Sequence, residues 1–200
     1  MQTLVEFMNR DRLKKYNRYS YFPKDHVELR NIILDLLEKE GNDADLSCID
    51  TSKLKSIEFV FVNLKDFTGE NNNIGEWDVS NVENMSYVFA DSGFNGDLSG
   101  WNTRSVRTME SMFEGSKFDQ DISKWNTENV INMFGMFEKS PFNRPIGGWN
   151  VKKCDNFAYM FAKSKFNQNI DDWKIGPYAE VGNMFKDCPM RKNPPKWYKG

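Results

Sequence analysis

Six tryptophans, Trp77, Trp101, Trp125, Trp149, Trp173 and Trp197, stand at five equal intervals of 24 residues, and the chain contains no others. The remaining large apolar residues keep the same period. Phe89, Phe113, Phe137, Phe161 and Phe185 form one column, and Phe94, Phe118, Phe142, Phe166 and Met190 form a second. Leu98, Ile122, Ile146 and Ile170 make a third, and Val88, Met112, Met136, Met160 and Met184 a fourth. Met85, Met109, Met133, Phe157 and Val181 follow, as do Val82, Val106, Val130, Cys154 and Tyr178. Columns of this kind mean stacked coils, because a single 24-residue coil cannot bury its own apolar face and gains a core only from its neighbours. The expected fold class is therefore an α/β solenoid with short parallel strands, short helical turns and an N-terminal helical cap.

One earlier coil is legible where Leu46, Ile49, Leu54, Ile57 and Phe61 match the positions of Leu98, Trp101, Val106, Met109 and Phe113. It is four residues longer between Phe61 and Trp77 and includes the polar run Thr68-Gly69-Glu70-Asn71-Asn72-Asn73. Insertions in such stacks are accommodated as surface loops, so this one is expected to bulge outward. Within a coil, Val106, Met109, Met112 and Phe113 fall at i, i+3, i+6 and i+7, which predicts a short helix or helical turn. Ser80, Thr103 or Ser105, and Thr127 or Asn129 stand at its N-cap positions. After Gly115-Ser116, the run Phe118 to Ser123 predicts a short strand, and such strands would stack in parallel about 4.8 Å apart.

Residues 1–45 differ in kind. Leu29, Ile32, Ile33, Leu36 and Leu37 carry an amphipathic helical stripe, with Asp25-x-x-Glu28 as a capping box and Gly41 as the stop. A helix over residues 23–41 would cover the apolar end of the first coil, leaving residues 46–200 as the repeat body. At the other end, Pro194 and Pro195 replace the column isoleucine and its neighbour, which marks an ending, since proline cannot donate to a ladder.

The chemistry-bearing residues are sparse. Cys48, Cys154 and Cys188 are odd in number and far apart, so they are expected to remain thiols, with Cys154 in the core and Cys188 a small filler. His26 is the only histidine, which leaves little material for a metal centre or a histidine-based triad. Asn95, Asp119, Asn143 and Asn167 form a polar column suited to bonding backbone groups. Ser92, Ser116, Ser140 and Ser164 repeat at a bend. Asp97 and Asp121 could hold a weak calcium ion or support acid/base chemistry, but Pro145 breaks their column. No cofactor, metal ligand or catalytic residue is assigned.

With 27 basic against 29 acidic side chains and a formal net charge of -2, the whole chain carries no field that draws nucleic acid. A local cluster does interleave cations with aromatics, namely Arg10, Arg12, Lys14, Lys15, Tyr16, Arg18 and Tyr19, and it is the candidate partner-binding or nucleic-acid-binding segment. No apolar stretch approaches a membrane span and no signal-peptide core is present. The expected location is therefore cytoplasmic or otherwise soluble, with a surface or secreted placement if a leader was removed or another export route is used.

The strings Phe94-Asn95-Gly96-Asp97-Leu98-Ser99-Gly100-Trp101-Asn102 and Asn129-Val130-Ile131-Asn132-Met133-Phe134-Gly135-Met136-Phe137 resemble the repeat of the BspA-like branch of leucine-rich-repeat proteins. This branch includes many mycoplasma-type surface lipoproteins. The segment Glu28 to Ile33, followed by Asp45 to Ser52, also resembles the leader that precedes those repeats, so the likeness covers residues 22–200. The resemblance implies a right-handed leucine-rich-type solenoid, adhesion or protein binding, and no catalytic residues to carry over. The expected function is a noncatalytic protein-interaction surface with an unidentified protein partner. A structural component that stacks weakly end to end is the alternative.

Overall fold

Residues Asp25 to Gly41 build the one long regular element among the described residues in the way their sequence dictates. In the computed structural model, which describes residues 19–199, helix α1 spans His26–Glu40. The Asp25 carboxylate accepts from the amides of Val27 and Glu28 at 3.0 and 2.9 Å. Glu28 reaches back to the Lys24 amide at 2.9 Å, so the reciprocal half of the box lands one residue before the N-cap. Gly41 ends the helix at φ 81, a conformation that suits glycine. Leu29, Ile33 and Leu36 are buried, with Ile32 and Leu37 packed at the edge of the same core.

After Gly41 the chain winds into stacked coils. The junctions between coils are made by a ribbon of consecutive turns, where the sequence predicts a short helix or helical turn. At each junction four alternate amides donate to carbonyls of the next coil: Met85 to Thr108, Tyr87 to Glu110, Phe89 to Met112 and Asp91 to Glu114, at 2.7 to 3.0 Å. The pattern recurs from Ile57–Asn63 onto 84–90 and continues to Phe157–Lys163 onto 180–186. Between these amides the chain closes consecutive turns, such as Ala90 onto Tyr87 and Ser92 onto Phe89. Two residues per coil take positive φ, among them Tyr87 and Asp91, Tyr159 and Lys163, and Asn183 and Asp187. A true helix would consume every amide internally. The left-handed residues instead turn alternate amides outward to the neighbouring coil.

The predicted strands are also corrected. Parallel pairing consists of isolated bridges running Ser56, Asn84, Thr108, Asn132, Asn156 and Glu180, on the opposite side of the Met column from the Phe118–Ser123 run. That run cannot extend, because the Asp121 carboxylate takes the Ser123 amide at 2.9 Å and curls the chain. The assigned N-caps serve other purposes. The Thr103 and Thr127 hydroxyls donate to the Asn126 and Asn150 carbonyls of the following coil, and Asn129 and Ser105 bond back to the preceding one.

The core follows the sequence columns except in the last coil, where Tyr178, expected in the Val82 column, is 97 % exposed and Val181 is only partly buried, because no further coil packs over them among the described residues. Phe61, Phe89, Phe113, Phe137, Phe161 and Phe185 stack with centroids 5.2 to 5.9 Å apart. Phe94, Phe118, Phe142 and Phe166 stack beside them at 6.0 to 6.3 Å. These separations suit offset aromatic pairs. Phe67, not placed by the period, heads this second column 6.1 Å from Phe94. Trp77, Trp101, Trp125, Trp149 and Trp173 are buried, while the terminal Trp197 is half-buried. Each indole donates to a carbonyl of the preceding coil: Trp101 to Ile74, Trp125 to Leu98, Trp149 to Ile122 and Trp173 to Ile146, at 2.9 to 3.2 Å. The inserted segment does not simply bulge outward. Glu70, Asn71 and Asn73 are exposed, but Asn72 is buried and its amide donates to the carbonyls of Asn42 and Ala44. Part of the insertion thus ties the first coil to the chain leaving α1.

Candidate interaction surface

The turn ribbon holds its backbone fixed while the side chains along it differ from coil to coil, with Ser86, Ser111 and Ala158 buried and Tyr87, Glu110, Phe134 and Tyr159 partly exposed. The bridge column starts each ribbon: Asn84, Asn132 and Asn156 accept through Oδ1 from the amide two residues on, and Thr108 does so through its hydroxyl. Two residues past the bridge stand Ser86, Glu110, Phe134, Ala158 and Gly182, and next to them Tyr87, Ser111, Gly135, Tyr159 and Asn183. Phe59, on the first coil, is exposed and stacks on Tyr87 at 5.0 Å. Further along, Phe134 tilts against Tyr159 at 5.7 Å, and Ile131 is exposed beside them. Between these aromatic groups, Glu110 accepts from the Tyr87 hydroxyl at 2.8 Å and from the Asn132 amide at 3.0 Å. Burial pushes the Tyr87 phenol up, and its bond to Glu110 acts in the same direction. Lys139 joins Glu114 at 2.9 Å, and that bond raises the lysine's pKa. The ribbon face is therefore a surface with two aromatic patches joined by a braced acidic strip.

The other polar columns serve the stack. The side-chain oxygens of Asn95, Asp119 and Asn143 accept from the amides of Asp119, Asn143 and Asn167 one coil on, at 2.8 to 2.9 Å. Ser92, Ser116, Ser140 and Ser164 are buried, and their hydroxyls donate to the carbonyls of Phe89, Phe113, Phe137 and Phe161. Asp97 and Asp121 each spend a carboxylate oxygen on the amide two residues on, and this bond holds the Asp121 pKa down. Among the described residues no group of three metal-ligating side chains forms. Cys154 and Cys188 are buried, and burial pushes the Cys154 thiol up to about 12. Cys188 lies 3.7 Å from the Ser164 hydroxyl, in the serine column, as a filler.

Of the basic and aromatic N-terminal cluster, Arg10, Arg12, Lys14, Lys15, Tyr16 and Arg18 lie outside the described residues. Tyr19, half-buried, is described. Beyond it, Tyr21 bridges in parallel to Ile49 of the first coil.

Sequence reasoning missed Arg30. Its guanidinium donates to the carbonyls of Phe59, Val60 and Val62 at 2.8, 2.9 and 3.2 Å. Val60 and Val62 occupy the positions whose carbonyls, in every later coil, receive ribbon amides from the coil before. Arg30 thus stands in for the missing coil, and burial lowers its pKa. The only signal in the sequence was a cation set beside the Leu29–Ile33 stripe.

These features define a capped stack of 24-residue repeats whose varied side chains ride on an invariant backbone. The chain belongs to the family described as Mycoplasma protein of unknown function, DUF285, whose model matches residues 33–117 and 94–197. No curated protein and no solved structure matches it. Among the described residues, no helix is long and apolar enough to cross a membrane.

Proposed function

We propose that this chain is a noncatalytic protein-binding module of the BspA-like, leucine-rich-repeat type, a right-handed solenoid that engages another protein through its turn ribbon. The observation that carries the reading is the pairing of a backbone braced by four bonds per junction with ribbon side chains that change at every coil. A rigid surface loses little conformational freedom on binding, and ordered aromatics supply contact area at low entropic cost. Phe59 with Tyr87, and Phe134 with Tyr159 and Ile131, are the anchors such an interface needs.

The test is crosslinking from a photoreactive phenylalanine analogue placed at position 134, compared with the same group at position 124 near the coil's tryptophan loop. In extract of the source cells, the ribbon position should yield a discrete protein adduct that position 124 does not. The purified partner should then bind Phe134→Ser/Tyr159→Ser at least about tenfold more weakly, in line with loss of interface anchors. Equal adducts at both positions, or unchanged affinity of a variant with native melting behaviour, would overturn the reading.

A further inference from the structure

Past its bridge residue each ribbon bonds one way, from the amides of one coil to the carbonyls of the next, while the bridge residues donate back, as Thr108 does to Glu83 and Glu180 to Asp155, so the two ends of the stack are chemically different. The first coil presents carbonyls, and Arg30 of α1 takes those of Val60 and Val62. The last coil presents amides. Val181, Asn183, Phe185 and Asp187 stand where Phe157, Tyr159, Phe161 and Lys163 donate at 2.7 to 3.1 Å, yet their amides have no acceptor among the described residues. The intervening turns are closed normally, by Met184 onto Val181, Lys186 onto Asn183 and Cys188 onto Phe185. The amides of Val181, Asn183 and Asp187 are thus held in place on exposed or partly exposed residues at the end, whereas Phe185 is buried. With Asn183 and Asp187 at positive φ, a turn backbone of this kind gathers N–H groups into a concavity that favours negative charge and carbonyl oxygen.

A cleft of about 410 Å³ opens there, lined by Asn183, Phe185, Lys186, Arg191, Pro194 and Tyr198. Its ring surfaces are fixed, since Tyr198 sits edge-on to Phe185 at 4.9 Å. The surroundings are cationic: residues 181–199 carry Lys186, Arg191, Lys192, Lys196 and Lys199 against Asp187 alone. We propose that this end is a docking edge for an acidic segment of another protein. The segment lays backbone carbonyls on the amides of Val181, Asn183 and Asp187 and its carboxylates beside Lys186 and Arg191.

Other occupants fit less well. A second copy stacked head to tail would have to bring carbonyls that Arg30 already takes, and two last coils end to end would oppose amide to amide. The chain's own first eighteen residues carry Arg10, Arg12, Lys14, Lys15 and Arg18, the wrong sign for this cleft. The proposal concerns the end of the stack and does not depend on the ribbon face binding anything.

The probe is a fluorescein-labelled peptide of alternating Glu and Val, eight residues long, titrated into the full chain and followed by anisotropy and by ¹⁵N amide spectra. Saturable binding is expected, with the Val181, Asn183 and Asp187 amides shifting and gaining protection from exchange. Lys186→Glu/Arg191→Glu should bind about tenfold or more weakly, because reversing charges beside a complementary ligand removes both attraction and specificity. The same peptide with Gln for Glu should bind correspondingly weakly. Binding that leaves those three amides unmoved would overturn the proposal. So would equal binding of the Gln peptide, displacement of the acidic peptide by single-stranded RNA at lower concentration, or a dimer in sedimentation that blocks the peptide.

Discussion

Replacement of Trp125 separates the two contributions of the tryptophan column. The side chain is 4 % exposed, stacks on Trp101 at 6.3 Å and on Phe113 at 6.2 Å, and donates through Nε1 to the Leu98 carbonyl at 3.0 Å. Trp125→Ala removes the whole ring from between two coils and should cost about 3–5 kcal/mol, the range for a large aromatic deleted from a core. Trp125→Phe keeps most of the ring but strands a buried carbonyl, which should cost about 1–3 kcal/mol. Trp197 stacks on Trp173 at 6.3 Å but is only half-buried, so less of its ring is held away from water than that of Trp125. Trp197→Ala should therefore cost clearly less than Trp125→Ala. Urea unfolding followed by circular dichroism measures all three on one scale. The reasoning fails if Trp125→Phe unfolds with the wild-type midpoint, or if Trp197→Ala is as damaging as Trp125→Ala.

Arg30→Met keeps the apolar stem but withdraws the donors from Phe59, Val60 and Val62, and should cost about 2 kcal/mol in urea unfolding, a charged bond or two less what water restores; an unchanged midpoint would remove Arg30 from the cap. The Cys154 thiol is held at about 12 against an ordinary 9.0, so the folded state prefers the neutral form. Its contribution is intact below about pH 9 and declines as the pH rises toward 12, because the unfolded chain loses this proton first. Cys154→Val, the residue of Val82, Val106 and Val130 in the same column, should flatten that alkaline decline in paired denaturation curves at pH 8 and 10.5. Lys163 is exposed at φ 57, and Lys163→Gly should stabilise by about 0.5–1 kcal/mol in thermal unfolding, as relief of left-handed strain outweighs glycine's entropy.

The period, the core columns and α1 were all legible, because burial selects residue type and Leu29, Ile33 and Leu36 keep helical spacing. The path of the backbone between core residues was not. Val106, Met109, Met112 and Phe113 point inward whether they ride a helix or consecutive turns, and the side chains at the left-handed positions, such as Tyr87 and Lys163, carry none of glycine's warning. The Asn95 column could be read as a set of backbone partners because short polar side chains repeated in every coil have few other uses, whereas the serines were legible only as small residues at a bend. Arg30 was hidden because its function depends on carbonyls about thirty residues away along the chain. The unpaired amides of the last coil were equally hidden, since the sequence of that coil does not announce which of its backbone bonds lack a neighbour.

The junction chemistry also bears on how a family of such chains can change length. Each interior coil takes in four amide bonds on one side and gives out four on the other, so a duplicated 24-residue block inserted between any two coils arrives with its connections already balanced. Only the two end pieces, α1 with Arg30 and the segment from Pro189 to Tyr198, are irreplaceable. Unequal recombination within the gene would then lengthen or shorten the rod in whole steps without altering either terminus, and the interaction surface could be resized by copy number alone.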